Sequence, residues 1–526
     1  MGEAAPDAIV IGSGPNGLVA ANILASAGWS VLVLEAQSQI GGAVRSDREL
    51  HPDFVHDTFS AFYPLGAASP VITALRLEDH GLVWRRAPAV LGHPLPGGRW
   101  ALLYDDVERT AAGLDRSSPG DGDQWRQLHA EWQRIGPALV QALMSPFPPV
   151  LGGLKTLMRL PRVGGLAYVR MLVEPALQLG EERFSSQEAR LLLAGSAGHS
   201  DIPLDATGSG LMALLMTMLA QTVGFPVPEG GASELSNALA RRLEAHGGEI
   251  RCESHVDRVI VTGGRAKAVT LHNGATLRAG RAILADVVAP NLYGGLVDWD
   301  DLPPRTRRNM KRFQLDPSTV KVDWALDGPV PWESPPELVP GTVHVADSTD
   351  QLAASLQQLS AHTVPAEPFL LVGQMTSTDP TRSPAGTESM WAYTHVPQEI
   401  HHDAGDEGIS GSWGHDDAER MADRMQSRIE KYAPGFGSRV MARRVLTPPE
   451  LQRRNESLVG GAINGGTAEI HQQLVFRPIP GLGRANTPVR GLFLASASAH
   501  PGGGVHGAAG SNAARAAIAA HRVGRL

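Results

Sequence analysis

The tightest constraint on this chain lies within its first 35 residues. Ala8 to Ile11 read AIVI, an apolar β-prone run, and Gly12-Ser13-Gly14-Pro15-Asn16-Gly17 follows at once. Next come the small-residue stretch LVAANILASAG and the run SVLVLE, which ends at Glu35. This order predicts strand, glycine turn, helix and strand, the opening of a dinucleotide-binding unit. Gly12 permits the tight turn, Gly14 lets a pyrophosphate approach the backbone, and Gly17 lets helix and strand pack closely. The helix N-terminus then turns its free amides toward the phosphates. Glu35 stands about 20 residues further on, where a carboxylate accepts hydrogen bonds from an adenosine ribose.

A fingerprint of this kind serves NAD and FAD alike, so the residues behind Glu35 decide between them. They read AQSQIGGAVRS, with Gly41 and Gly42 making a second close backbone approach and Arg45 behind them. Such a turn suits a cofactor whose pyrophosphate and ribityl chain continue across the sheet, as those of FAD do.

At 526 residues with 59 glycines and 42% hydrophobic residues, the chain has material for two or more domains. A net charge of -8 argues against a broad nucleic-acid surface, which needs clustered Lys and Arg. The single cysteine, Cys252, excludes an internal disulfide and a cysteine-cluster metal site. It fits a reducing cytoplasm, and MGEAAPDAIVIGSG lacks the pattern of a signal peptide. The longest apolar run, GLMALLMTMLAQTVGF from Gly210, is broken by Thr217, Gln221 and Thr222 and stops at Pro226. A spanning helix needs roughly 20 apolar residues, so a buried helix is expected here.

Gly224 to Ala285 reads as a glycine turn, an amphipathic helix carrying Leu235, Ala238, Leu239 and Leu243, and a meander of the strands SHVDRVIV, AKAVTL and RAILA. Gly263-Gly264 and Asn273-Gly274 are its hairpin signals. Between Trp84 and Pro226 the pattern is helical, and from about Asp300 to Pro449 it mixes strands and helices, among them DDAERMADRMQSRIEKYAPGF. These two insertions are expected to form one substrate domain.

Near the other terminus GLFLASA is followed by HPGGGVHGAAGSNAARAAIAAHR. Gly502, Gly504 and Gly507 form a second GxGxxG between a strand and a helix. Too little chain follows for an independent nucleotide unit, so the strand must complete an existing sheet. If it joins the first sheet, the new helix N-terminus meets the far end of the same cofactor, where its dipole stabilises the negative charge of a reduced flavin.

With these residues in place, the chain resembles the flavoprotein superfamily that contains phytoene desaturases, flavin amine oxidases and the Rab escort proteins. The double glycine with Arg45 behind it carries the resemblance to the superfamily, and the segment QLVFRPIPGLG and above all LFLASASAHPGGGVHGAAGSNAARAA look like the phytoene desaturase branch. The resemblance implies FAD held by Gly12, Gly14, Gly17, Glu35, Gly41, Gly42 and Arg45. It assigns adenine a backbone contact from Val256, the pyrophosphate or ribityl chain Ser496, and the flavin ring Gly504, Val505, His506 and Gly507. The fold it implies is α/β: a Rossmann-type FAD-binding domain from 1–85, 224–299 and 455–526, with an inserted α+β substrate domain from 86–223 and 300–454.

The activity implied is desaturation of a hydrophobic small molecule by hydride transfer to flavin N5, with a carotenoid ketolase or flavin amine oxidase as alternatives. Amine oxidases commonly carry an aromatic cage before the C-terminal motif, and the sequence shows none there. A prenyl-protein escort factor is the non-enzymatic alternative. An acidic C–H would need a base, for which His199, Asp201, His471, His500 and His506 are the candidates. No metal site is expected: the His-rich EIHHDAGDEG, Glu399 to Gly408, reads as a solvated glycine loop. Residues 145–178, apolar with Lys155, Arg159, Arg162 and Arg170, read equally as a peripheral membrane contact and as a helical cap. The sequence names neither the electron acceptor nor the oligomeric state.

Overall fold

The structure, a computed structural model, describes residues 5–526. The first four residues, which open the stretch read for a signal peptide, lie outside the described residues. Strands β1 (Ala8–Ile11) and β2 (Val31–Leu34) are buried along their whole length, and helix α1 (Pro15–Ser26) connects them. Uninterrupted AIVI and VLVL suit parallel strands covered on both faces. Pro15 starts the helix where a missing N–H costs nothing.

Among the described residues β1 sits in a five-stranded parallel sheet, in the order Leu492–Leu494, Ala282–Ala285, β1, β2, Glu249–Arg251. Numbered along the chain this is 3-2-1-4-5, a doubly wound sheet whose winding reverses beside β1. The register aligns Ile11, Leu34, Arg251, Ala285 and Leu494. The strands end at one level, so Gly12, Glu35, Asp286 and Ser496 fall on one rim. The C-terminal helix Ala508–Arg522 lies along α1 so closely that a Cβ at Gly510 would overlap the Asn16 carbonyl oxygen. The terminal strand therefore completes the first sheet, and the two ends of the chain meet.

A seven-stranded sheet faces this unit, in the order Val440–Leu446, Ser318–Leu326, Glu388–Val396, Leu370–Gln374, Pro340–Val345, Ala89–Leu95, Arg99–Leu103. Neighbours run antiparallel except Pro340–Val345 beside Ala89–Leu95. The helix His415–Glu430 packs Met421, Met425 and Ile429 into the core that holds Val322 and Trp324 of this sheet. The apolar run from Gly210 is a buried helix, Ser209–Val223.

Two expectations are corrected. The region from Trp84 to Pro226 contains the strands Ala89–Leu95 and Arg99–Leu103 besides its helices. RAILA does not belong to the meander: its Ala282–Ala285 is buried on both faces and joins the parallel sheet. An all-apolar segment lacks the alternation of a half-exposed hairpin strand. The third meander strand is Thr276–Arg278, paired with Arg265–Leu271, which itself pairs with Val256–Thr262.

Arg382 joins the units. Fully buried, it donates to Asp57 and Asp379, each at 2.9 Å, and to the Pro228 carbonyl at 3.2 Å. Removing one partner of such a buried pair costs about 3–5 kcal/mol, because the remaining charge is left without compensation.

Candidate functional site

A cavity of about 860 Å³ runs from the rim of the parallel sheet to the inner face of the seven-stranded sheet. Its first half is made by the glycine turns. A Cβ at Gly17 would overlap the Gly12 carbonyl oxygen, and one at Gly42 would stand 2.9 Å from Gly14 Cα. The two turns thus press on each other, and Gly41 N–H donates to the Ser13 carbonyl at 3.1 Å. Glu35 is fixed by Ser13 N–H at 2.9 Å and Ser13 Oγ at 2.6 Å on one oxygen and by Gln37 N–H at 2.9 Å on the other. Arg45 donates to the Arg454 carbonyl at 2.8 Å and lies over the Phe59 ring; burial lowers its pKa.

Of the residues assigned to FAD, Gly12, Gly14, Glu35, Gly42, Arg45, Val256, Ser496, Gly504 and Val505 line the cavity. Gly17 and Gly41 stand behind this lining and shape the turns. His506 and Gly507 also lie outside it. His506 Nδ1 accepts from Ala508 N–H at 3.0 Å, its carbonyl accepts from Ser69 Oγ at 2.6 Å, and burial pushes its pKa down to about 4. It is a cap for the C-terminal helix. A Cβ at Gly507 would meet Val19 Cγ2 at 2.8 Å, so this glycine permits the approach to α1.

The sequence reading passed over Asp286, which follows the strand Ala282–Ala285 directly. Its Oδ2 accepts from Gly17 N–H at 2.7 Å, an amide at the N-terminus of α1. Burial, with Glu35 nearby as a lesser contributor, pushes its pKa up to about 7 against the lowering effect of that hydrogen bond. An acid after an apolar run carries no local signal of this role.

The second half of the cavity is apolar and aromatic: Phe62, Met212, Met216, Phe225, Trp391 and Tyr393 line it. Trp391 and Tyr393 stack with centroids 5.9 Å apart and planes at 22°. The sequence showed no aromatic cage before the C-terminal motif; the stacked Trp391–Tyr393 pair comes instead from the strand Glu388–Val396, with Phe62 and Phe225 from other parts of the chain. Lys321 lines the same wall, 3% exposed and paired with Asp323, whose other oxygen accepts from Arg444 at 2.7 Å. Burial lowers the Lys321 pKa, opposed by the Asp323 charge.

Among the candidate bases only His199 lines the cavity. Asp201 accepts from Ala468 N–H at 2.8 Å, and exposed His471 contacts Gln314 Oε1 at 2.5 Å on the surface. His500 Nε2 contacts the Ser145 carbonyl at 3.1 Å, with its ring against Phe147. These are structural placements outside the cavity. The Glu399 to Gly408 stretch is less solvated than expected, because Asp403 is buried and pairs with Arg424. Its Glu399 and His401 lie with His362 in an exposed cluster of a size that a metal ion requires.

Comparison with known proteins places these features in a family. Residues 16–310 match the model of the flavin-containing amine oxidoreductases. Over 97% of this chain, mouse pyridine nucleotide-disulfide oxidoreductase domain-containing protein 2 is 30% identical, with 92% of its own length covered. The neurosporene-forming phytoene desaturase of Cereibacter sphaeroides is 25% identical over 97% of this chain and 94% of its own. A solved triple mutant of putrescine oxidase superposes with a TM-score of 0.62 at 17% identity, covering 99% of both chains, which shows a shared fold. The chain belongs to the flavin-containing amine oxidoreductase family and is an FAD-dependent oxidoreductase. The residues present fit FAD: two facing glycine turns without side chains, a fixed acid, Glu35, directly after β2, and a third glycine approach at Gly504.

The Asp286 carboxyl takes the Gly17 amide and lines the cavity beside the glycine turns, where it would face an FAD diphosphate. Its raised pKa leaves it neutral below about 7 and charged above, where it repels that anion. We therefore expect the Kd for FAD to rise with pH above about 7, by up to about tenfold per unit. Asp286→Asn should flatten this dependence in fluorescence titrations at several pH values. A Kd of the unmodified protein that is flat between pH 6 and 9 contradicts it.

Proposed function

We propose that this member of the flavin-containing amine oxidoreductase family dehydrogenates a hydrophobic substrate and introduces a carbon–carbon double bond. The observation that supports the reading is the continuity of the cavity, in which the Glu35 and glycine-turn end opens directly onto the Phe62, Phe225 and Trp391 wall. When bound, FAD supplies the acceptor for a hydride at N5 and releases the two electrons to O2 or another oxidant. The wall contributes orientation and dryness: Phe62 contacts both Phe225 and Trp391, with ring centroids 6.4 and 5.9 Å apart, which leaves an apolar slot for a hydrocarbon. Loss of the hydride leaves a proton on the neighbouring carbon. A base must take that proton, and Lys321 Nζ is a candidate on this wall, its pKa lowered by burial against the raising effect of Asp323.

With Cys252 as its single cysteine, the chain has no intrachain dithiol to exchange, despite the name of its mouse relative. Amine oxidation is the second reading, favoured by the stacked Trp391–Tyr393 pair beside Lys321. Anaerobic mixing of the flavin-loaded protein with panels of lipids, ketones and amines separates the two. Bleaching of the flavin band by lipophilic substrates alone is expected; bleaching by amines alone contradicts desaturation.

The peripheral membrane contact is likewise a proposal. The helices Val150–Arg159 and Leu166–Val173 leave Val150, Leu154, Leu157, Met158, Leu166 and Val173 exposed beside Lys155, Arg159 and Arg162. Apolar side chains among cations suit an anionic lipid surface through which a lipophilic substrate arrives. Among the described residues no helix is long and apolar enough to cross a membrane. Co-sedimentation with phosphatidylserine-containing vesicles is expected, weakened about tenfold or more by Leu157→Glu with Leu166→Glu. Failure of the unmodified protein to bind those vesicles overturns the contact.

A further inference from the structure

Three histidines from distant parts of the chain meet behind the substrate wall. His93 and His344 come from the neighbouring strands Ala89–Leu95 and Pro340–Val345 and are fully buried. His199 follows the helix Gln187–Ala197 and lines the cavity beside Phe225, with ring centroids 6.1 Å apart. His93 Nε2 lies 3.2 Å from His344 Nδ1, and His344 Nε2 lies 2.9 Å from His199 Nε2. The helix makes room for this chain of rings at Gly195, where a Cβ would stand 2.5 Å from His93 Cε1 and 2.6 Å from His344 Nδ1.

Burial pushes the pKa of His93 and of His199 down to about 3 and that of His344 well below its usual value, so all three rings are neutral. Each neutral ring carries one N–H, and two ring-to-ring hydrogen bonds leave two arrangements. If the chain donates inward, His199 shows a bare nitrogen to the cavity and His93 Nδ1 carries a hydrogen. If it donates outward, His93 Nδ1 is bare and His199 Nδ1–H is left to donate. His93 Nδ1 is buried with no hydrogen-bond partner among the described residues. A buried N–H without an acceptor is the rarer and more costly orphan, so the outward arrangement is preferred. Thr342 lines the same cavity two residues before His344, and its Oγ1 is also buried without a partner.

We propose that the His93–His344–His199 chain presents His199 Nδ1–H to the cavity, and that this subsite, completed by Thr342 Oγ1, binds a neutral carbonyl or hydroxyl oxygen on an otherwise hydrophobic substrate. It rests on the reading of the cavity as a substrate site and narrows the substrate class from hydrocarbons to molecules with one such oxygen. His199 is the binding residue; His344 and His93 position it by fixing its tautomer.

The test uses the flavin-loaded protein and two probes of equal length, 2-decanone and decane, with binding read from the shift in the flavin visible spectrum. The ketone should bind about tenfold more tightly, the worth of one neutral hydrogen bond. His199→Phe should bring the ratio of the ketone and decane affinities to about one, and His344→Phe should reduce that ratio. Equal affinities in the unmodified protein, or a preference that survives His199→Phe, overturn the proposal. Independently of any variant, ¹⁵N spectra of histidine-labelled protein should show His199 protonated at Nδ1; protonation at Nε2 overturns it. A protein with the ketone preference that is bleached by amines alone loses the desaturation reading and keeps the subsite. One bleached by lipids without the preference loses the subsite and keeps desaturation.

Discussion

The common level at which five parallel strands end governs everything else in this molecule. Because Ile11, Leu34, Ala285 and Leu494 are held in register by backbone hydrogen bonds, whatever follows each strand is delivered to one rim. The chain places there a glycine turn, a glutamate, an aspartate and a serine. Close packing of Gly510 on Asn16 then locks the terminal helix against the first, so residues nearly 500 positions apart shape one groove. Gly42 packs against Gly14 at the same rim.

The second sheet meets that rim with one face, and alternation along its strands decides what the cavity sees. Lys321 is the cross-strand neighbour of Tyr393, which in turn neighbours Leu371, while Asp323 neighbours Trp391. Ionic and aromatic groups are thus interleaved on a dry surface. Buried charge of this kind is tolerated only when paired, and Asp323 is held between Lys321 and Arg444. A few positions away the same face carries His93 and His344, which burial keeps neutral and which hydrogen-bond to each other and on to His199. Polar groups on this wall are therefore fixed in orientation before any substrate arrives.

The parts of the site legible in the sequence were those built from contiguous residues. Gly12 to Glu35 carries strand, turn, helix and acid in one stretch, and the C-terminal motif carries its glycines and alanines together. What was missed depends on pairing across long separations. Ala89–Leu95 lies beside Pro340–Val345 only through the tertiary fold, so neither its strand state nor the contact of His93 with His344 leaves a local trace. Lys321 sits in an ordinary β-prone run, and its meaning comes from Trp391 and Asp323. His506 went the other way: its place in a glycine motif suggested chemistry, whereas its ring nitrogen caps a helix.

The central claim, that both termini build one FAD groove, is tested most directly by hydrogen–deuterium exchange of the flavin-free and FAD-loaded protein followed by mass spectrometry. The account predicts that exchange slows together at 12–17, 35–45 and 496–510, while 150–173 is unaffected. Slowing at 12–17 with 496–510 unchanged would contradict it.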